Sequence, residues 1–290
     1  MILHLGQFYR TIYASLCGNL QQMLQVASSW QDALWAYMKT LLDIKVEREM
    51  RNLVIKSFTD MPDDYWKNEI SLKDAFKELH ASKNPDIRAQ SNKPDHLIQK
   101  YLILDQIPKL MEEIEDMISM KCDPHFLRFL THLICFFRQI GKNSKDRIGD
   151  KVILAYVQVL IEMDDPILIA FYTAMLPQEL QVTNYASYLE TIKDYEQRKK
   201  CLAAAEDANL NVEAITKLVV ESIRSKNIDM DPTDLKGNLT DADMDKINAL
   251  DWLIFYQSQR EEALWQTNAL IRYFLTYEKI DAARKAFNKV

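Results

Sequence analysis

Glycine is scarce in this chain, with 5 in 290 residues, where an ordinary domain uses roughly 7 %. Tight hairpins, phosphate-binding loops and most cofactor clefts need backbone that glycine alone adopts cheaply, whereas helices joined by short turns need little of it. Gly6, Gly18, Gly141, Gly149 and Gly237 fall near the ends of helical patterns or in loops. There is no alternating run of Val, Ile and Thr and no Asn-Gly turn, so nothing supports a sheet. The expected class is all-α.

Charge and cysteine usage narrow the function. A formal net charge of −6 argues against nucleic-acid binding, which calls for a basic face. Cys17, Cys122, Cys135 and Cys201 are scattered, mostly inside apolar helical patterns, which suits buried free thiols better than a disulfide frame. Met1–Leu5 lacks the basic flank and apolar length of a secretory signal. Ile148–Met163 is shorter than the roughly 20 residues a membrane span needs and carries Lys151 and Glu162. It is expected to be a buried helix, with no membrane insertion.

Periodicity and capping predict helices over Leu5–Cys17, Asn19–Ala27, Gln31–Arg51, Leu72–Ala81, Asp95–Gln106, Pro108–Met120, Pro124–Ile140 and Lys145–Met163. Further helices are predicted over Pro166–Ala174, Pro177–Ile192, Tyr195–Ala208, Asn211–Lys226, Asp241–Asp251, Gln259–Tyr277 and Asp281–Lys289. Asp123-Pro124 and Asp165-Pro166 each place an acceptor at the N-cap and a proline at N1, where its missing N–H costs nothing. Ser71 to Asp74 has the form of a capping box with Asp in place of Glu. Ser57–Ile70, Ser82–Pro94 and Asn227–Thr240 are polar and are expected to be exposed loops.

Two helices are apolar nearly all round. In Lys145–Met163 only Gln158 is polar between Val152 and Ile161, and Gln31–Arg51 behaves similarly from Ala33 to Ile44; both are expected to be covered on every side. In Pro124–Ile140, Phe126, Leu127, Phe129, Leu130, Leu133, Ile134, Phe136, Phe137 and Ile140 occupy one half of the circumference. A core helix and a docking stripe for a second protein both fit that pattern.

No chemical constellation is complete. Cys122, His125, His132 and Cys135 are metal-capable residue types, but their spacing along one helix cannot converge on an ion. Gly141-Lys142-Asn143-Ser144 lacks the upstream glycine of a phosphate loop and follows a helix instead of a strand. Asp241, Asp243 and Asp245 open like a calcium loop, yet Lys246 stands where glycine is required and Trp252 where the bidentate Glu belongs, which favours a capped helix start. Asp63-Asp64 and Asp164-Asp165 are too short for the acidic motifs of a helical prenyl-diphosphate enzyme. Asn238-Leu239-Thr240 is a glycosylation sequon by pattern only, and the basic run Glu196–Lys200 suits a solvated face. No catalytic set and no cofactor is expected.

Four stretches carry a family resemblance: WQDALWAYMK (Trp30–Lys39), FLRFLTHLICFFRQIG (Phe126–Gly141), LIAFYTAMLPQELQVTNYASYLETIKDYEQRKKCL (Leu168–Leu202) and ALDWLIFYQSQREEALWQTNALIRYFLTYEKIDAARKAF (Ala249–Phe287). In order and spacing they resemble the central region of Y-complex scaffold nucleoporins of the one-hundred-seven type. The resemblance implies an elongated, irregular helical stack that folds back on itself, with ascending trunk helices over about 1–56, a crown-like turn at 95–141 and returning trunk helices at 145–290 in one domain. Gln31–Arg51 would then lie beside Lys145–Met163. It also implies a non-enzymatic scaffold of the nuclear pore at the nuclear envelope, supporting pore assembly, mRNA export and protein transport. Crown contact with a neighbour of the nucleoporin ninety-six type is implied. So is contact with the propeller-bearing one-hundred-thirty-three type through a helical tail that these residues lack. A helical-repeat adaptor of a vesicle coat or other large assembly is the alternative. For the crown contact, the outward apolar candidates are Ile98, Tyr101, Leu102, Leu130, Leu133 and Phe137.

Overall fold

The computed structural model describes residues 2–53, 59–119, 122–142, 146–226 and 239–289. Among these the chain is helical, with one short 3-10 turn and no strand. The helices group into two compact units, residues 1–117 and 118–290.

The first unit comprises α1 (Ile2–Leu16), α2 (Leu20–Val26), α3 (Trp30–Leu53), α4 (Asp63–Trp66), α5 (Leu72–His80), α6 (Pro85–Gln90), α7 (Pro94–Ile103) and most of α8 (Ile107–Ser119). Its core gathers Met23, Trp30, Ala33, Phe76, Leu79 and Ile87 from α2, α3, α5 and α6. Ser71 caps α5 as expected, its Oγ accepting from Asp74 N at 3.1 Å. The polar segment 82–94, expected as an exposed loop, instead folds as α6 and contributes to the core. Ile87 and Ser91 are both buried, and the Ser91 hydroxyl donates to Leu79 O at 3.1 Å. Gln90 helps to seat this short helix, its Oε1 accepting from Trp30 N at 2.9 Å. In the segment 57–70, α4 likewise buries Tyr65.

A buried histidine joins these elements. His96 is 3 % exposed and stacks on Trp30 with 4.2 Å between ring centroids. Its Nδ1 lies 2.8 Å from Gln90 O and its Nε2 lies 2.9 Å from Gln31 Nε2. The Gln90 carbonyl can only accept, so Nδ1 carries a proton.

In the second unit, α9 (Pro124–Gln139) packs on α10 (Asp146–Met163), and α10 packs on α11 (Pro166–Thr173). Next come α12 (Gln178–Leu189), α13 (Tyr195–Asp207) and α14 (Val212–Ser225), with α11 against α13 and α12 against α14. The unit closes with α15 (Asp241–Ala249), α16 (Asp251–Ile254), α17 (Arg260–Thr276) and α18 (Ile280–Phe287). Asp123, Asp165 and Thr240 cap α9, α11 and α15 through their side chains. The acidic start Asp241–Asp245 is thus a capping box, in which Thr240 and Asp243 satisfy each other's backbone N–H. Gly149 lies inside α10, where a Cβ would come within 2.9 Å of Ile134 Cγ2; its absence lets α9 and α10 approach closely.

Neither helix expected to be covered on every side is so covered. In α10, Val152, Ile153, Tyr156, Val157 and Leu160 are buried, while Leu154, Val159 and Ile161 are half-buried and Met163 is exposed. In α3 the buried face is Trp30, Ala33, Ala36, Tyr37, Thr40 and Ile44, and Trp35 and Leu42 face outward. Helix neighbours cover one side of each, and the remaining apolar residues stay at the surface.

The thiols also depart from expectation. Cys201 is buried, Cys122 and Cys135 are half-buried, and Cys17, just past the end of α1, is exposed. Among the described residues no helix is long and apolar enough to cross a membrane.

Candidate partner-binding surfaces

Each proposed docking residue has a definite place. Ile98, Leu130 and Phe137 are in the cores of their own units at 3 %, 0 % and 3 % exposure, so they do not face outward. Tyr101 and Leu133 are half-buried, and the Tyr101 hydroxyl donates to Glu113 at 2.9 Å. Leu102 is exposed, as is Ile103 beside it. Of the six, only Leu102 presents an open apolar side chain.

The geometry of α9 explains the difference. Its buried face is Leu127, Leu130, Thr131, Ile134 and Phe137. Thr131 belongs to it although it is polar, because its hydroxyl donates to Leu127 O at 2.9 Å and needs no water. The outward face carries Phe129, Phe136 and Ile140, about half exposed. Spacings of seven and four residues align these three in one row along the helix. Phe129 also stacks on Phe126 at 6.2 Å between centroids. Arg138 anchors the inner side, with Nη2 at 2.7 Å from Asp150 Oδ1 and Nη1 donating to Met175 O at 2.9 Å.

A second row lies in the first unit. Trp35, Leu42, Val46 and Leu53 are exposed on α3 and share one face by the same spacing, with Trp35 53 % and Leu53 82 % open. Isolated surface hydrophobics are ordinary; here they fall in two rows, one on α3 and one on α9.

The metal-capable residues of α9 serve other ends. His132 Nε2 lies 2.8 Å from the Tyr172 hydroxyl, and Cys135 Sγ lies 3.3 Å from Met175 Sδ. Burial pushes the Cys135 thiol above its ordinary pKa, with Arg138 opposing, so the protonated form packs there. Among the described residues no cluster of His, Cys, Asp and Glu is arranged to hold a metal.

The described residues form a stack of helices that carries two exposed apolar rows. The model of the nuclear pore protein 84/107 family matches residues 4–290. The chain belongs to that family. It is 40 % identical over 295 residues to nuclear pore complex protein Nup107 of Rattus norvegicus, covering 98 % of this chain and 32 % of the relative. The human protein of the same name is 40 % identical over 296 residues, with the same coverage. The Drosophila melanogaster Nup107 is 36 % identical over 286 residues, covering 96 % of this chain and 33 % of the relative. The chain therefore spans about a third of the length of these curated relatives.

Within this family member, some structural residues carry no local sequence signal. Arg198 sits in the basic run expected to be solvated, yet it is 8 % exposed. Its guanidinium carbon lies 4.8 Å from the Trp252 ring centroid, and its Nε and Nη1 donate to Ile192 O and Asn248 O at 3.1 and 2.8 Å. Burial lowers its pKa, with Asp251 and Asp245 opposing. Only the arginine hydrogen-bond geometry distinguishes it from its solvated neighbours Lys199 and Lys200.

Proposed function

We propose that the chain is a structural scaffold module of the Y-complex of the nuclear pore, binding neighbouring nucleoporins through apolar helical surfaces and supporting pore assembly, mRNA export and nucleocytoplasmic transport. The family match over residues 4–290 carries the proposal. The Nup107 proteins of rat and human, to which the chain is similar, are named as nuclear pore complex proteins. The exposed row of Phe129, Phe136 and Ile140 supports contact with another chain. The neighbour there is the ninety-six-type nucleoporin of the Y-stalk, and no chemistry is carried out. Fluorescently tagged chain expressed in cultured cells tests this: a nuclear-rim signal that overlaps pores supports it, whereas accumulation on cytoplasmic coat structures points to a vesicle adaptor instead.

A further inference from the structure

In the first unit, α5, α7 and the start of α8 enclose a cleft of about 420 Å³. Leu104 and the Tyr101 ring, both half-buried, give it an apolar floor above the buried Phe76. The rim is basic: Lys73, Lys77 and His80 come from α5, Lys100 from α7 and Lys109 from α8. This is a concentrated positive site on a chain whose net charge is −6.

The rim groups face one another. Lys100 Nζ donates to His80 Nε2 at 3.2 Å and lies 5.0 Å from the Tyr101 ring centroid. Two carboxylates offset part of this charge at the rim itself, Asp74 paired with Lys77 at 2.6 Å and Glu113 accepting from the Tyr101 hydroxyl at 2.9 Å. Lys100 also feels the Glu113 charge, and Asp74 the charge of Lys73. Burial, and then the Lys100 charge, hold His80 below its ordinary pKa despite Glu113. Burial also lowers Lys100, with Glu113 opposing and Lys109 adding to the effect. An anion seated between these groups would relieve both.

We propose that this cleft docks an acidic peptide segment of a partner protein, with one apolar side chain on the Tyr101–Leu104 floor and flanking carboxylates on the lysine rim. Charge complementarity names the sign of the occupant, and the floor names its kind. A free phosphate ion has no use for an apolar floor. Nucleic acid and anionic membranes favour broad basic faces over one concave cluster on an acidic chain. The site shares no residue with the α9 row, so its failure would leave the scaffold role intact.

The test is titration of the chain with a synthetic peptide, Glu-Asp-Glu-Leu-Glu-Asp, at low salt. Saturable one-to-one binding is expected. It should weaken about tenfold or more when Lys73 and Lys100 are both changed to Gln, when the central Leu is replaced by Ser, or when salt is raised. His80 should titrate at higher pH in the bound state by proton NMR, because the added carboxylates oppose the effect of the Lys100 charge. Lys73→Gln alone, at an exposed position, retains the fold and should give a smaller loss. No saturable binding, equal binding of a Gln-flanked peptide, or unchanged affinity in the folded double variant would overturn the proposal. Binding only of a phosphoserine version, or of phosphatidylserine vesicles in place of the peptide, would also overturn it.

Discussion

Lys279 and Asp243 form a buried ion pair, Nζ to Oδ2 at 2.6 Å, with side chains only 2 % and 4 % exposed. It fastens the turn before α18 to the first turn of α15. Asp243 also accepts from the backbone N–H and hydroxyl of Thr240 at 2.9 and 2.8 Å. Burial raises the Asp243 carboxyl, but the bonds from Lys279 and Thr240 outweigh it and hold the pKa below the ordinary 3.8. A carboxyl depressed in the folded state stabilises above its unfolded pKa, and that contribution is lost as pH falls through the folded value. The denaturation midpoint should therefore fall on acidification below about pH 4, and less so in Asp243→Asn. Lys279→Met leaves a buried charge unpaired and should cost about 3–5 kcal/mol by chemical denaturation, with Asp243→Asn/Lys279→Met recovering part of the loss.

The two leucines of α10 should separate. Leu160 is 2 % exposed, whereas Leu154 is half-buried. Leu160→Ala should cost about 2–5 kcal/mol because its neighbours cannot close the cavity, and Leu154→Ala should cost distinctly less. Equal losses in the denaturation midpoint would mean that α10 is covered all round after all.

Left-handed backbone makes another prediction. Asn209 has φ 57° just after α13, and Leu210 N donates back to Ala205 O at 2.9 Å, the closing bond of a Schellman-type cap. Gly18 and Gly141 end α1 and α9 with the same backbone, and Asn209 does this work without glycine. Asn209→Ala should destabilise by about 1 kcal/mol, because a Cβ without asparagine's local hydrogen bonding is disfavoured there. Asn209→Gly should be neutral or mildly stabilising by thermal denaturation.

The helical class was legible from glycine scarcity, and the starts of α5, α9 and α11 from Ser71, Asp123 and Asp165, because caps act within one turn of chain. Contacts across long sequence separations were not legible. Segment 82–94 looks polar, yet Ile87 and Ser91 seat it; Asp243 finds Lys279 36 positions away. The wide stripe of α9 also misled. Periodicity grouped Phe129 and Phe136 with Leu130 and Phe137, and only the position of α10 decides which of them are covered.

That division makes burial testable at single residues. Leu130→Glu places a carboxylate at a fully buried site and should unfold the second unit or cost several kcal/mol. Phe136→Glu, at a position 52 % exposed, should change stability by about 0.5 kcal/mol or less and leave the helical circular dichroism intact.

The most direct test of the scaffold role is a calorimetric titration of purified chain with the purified ninety-six-type neighbour, comparing wild type with Phe136→Glu and Phe129→Glu. The account predicts a one-to-one complex for wild type and a loss of affinity of about a hundredfold or more for the folded Glu variants, since a carboxylate buried in an apolar interface goes unpaired. No complex between two folded proteins at tens of micromolar, or equal affinity across all three, would contradict it.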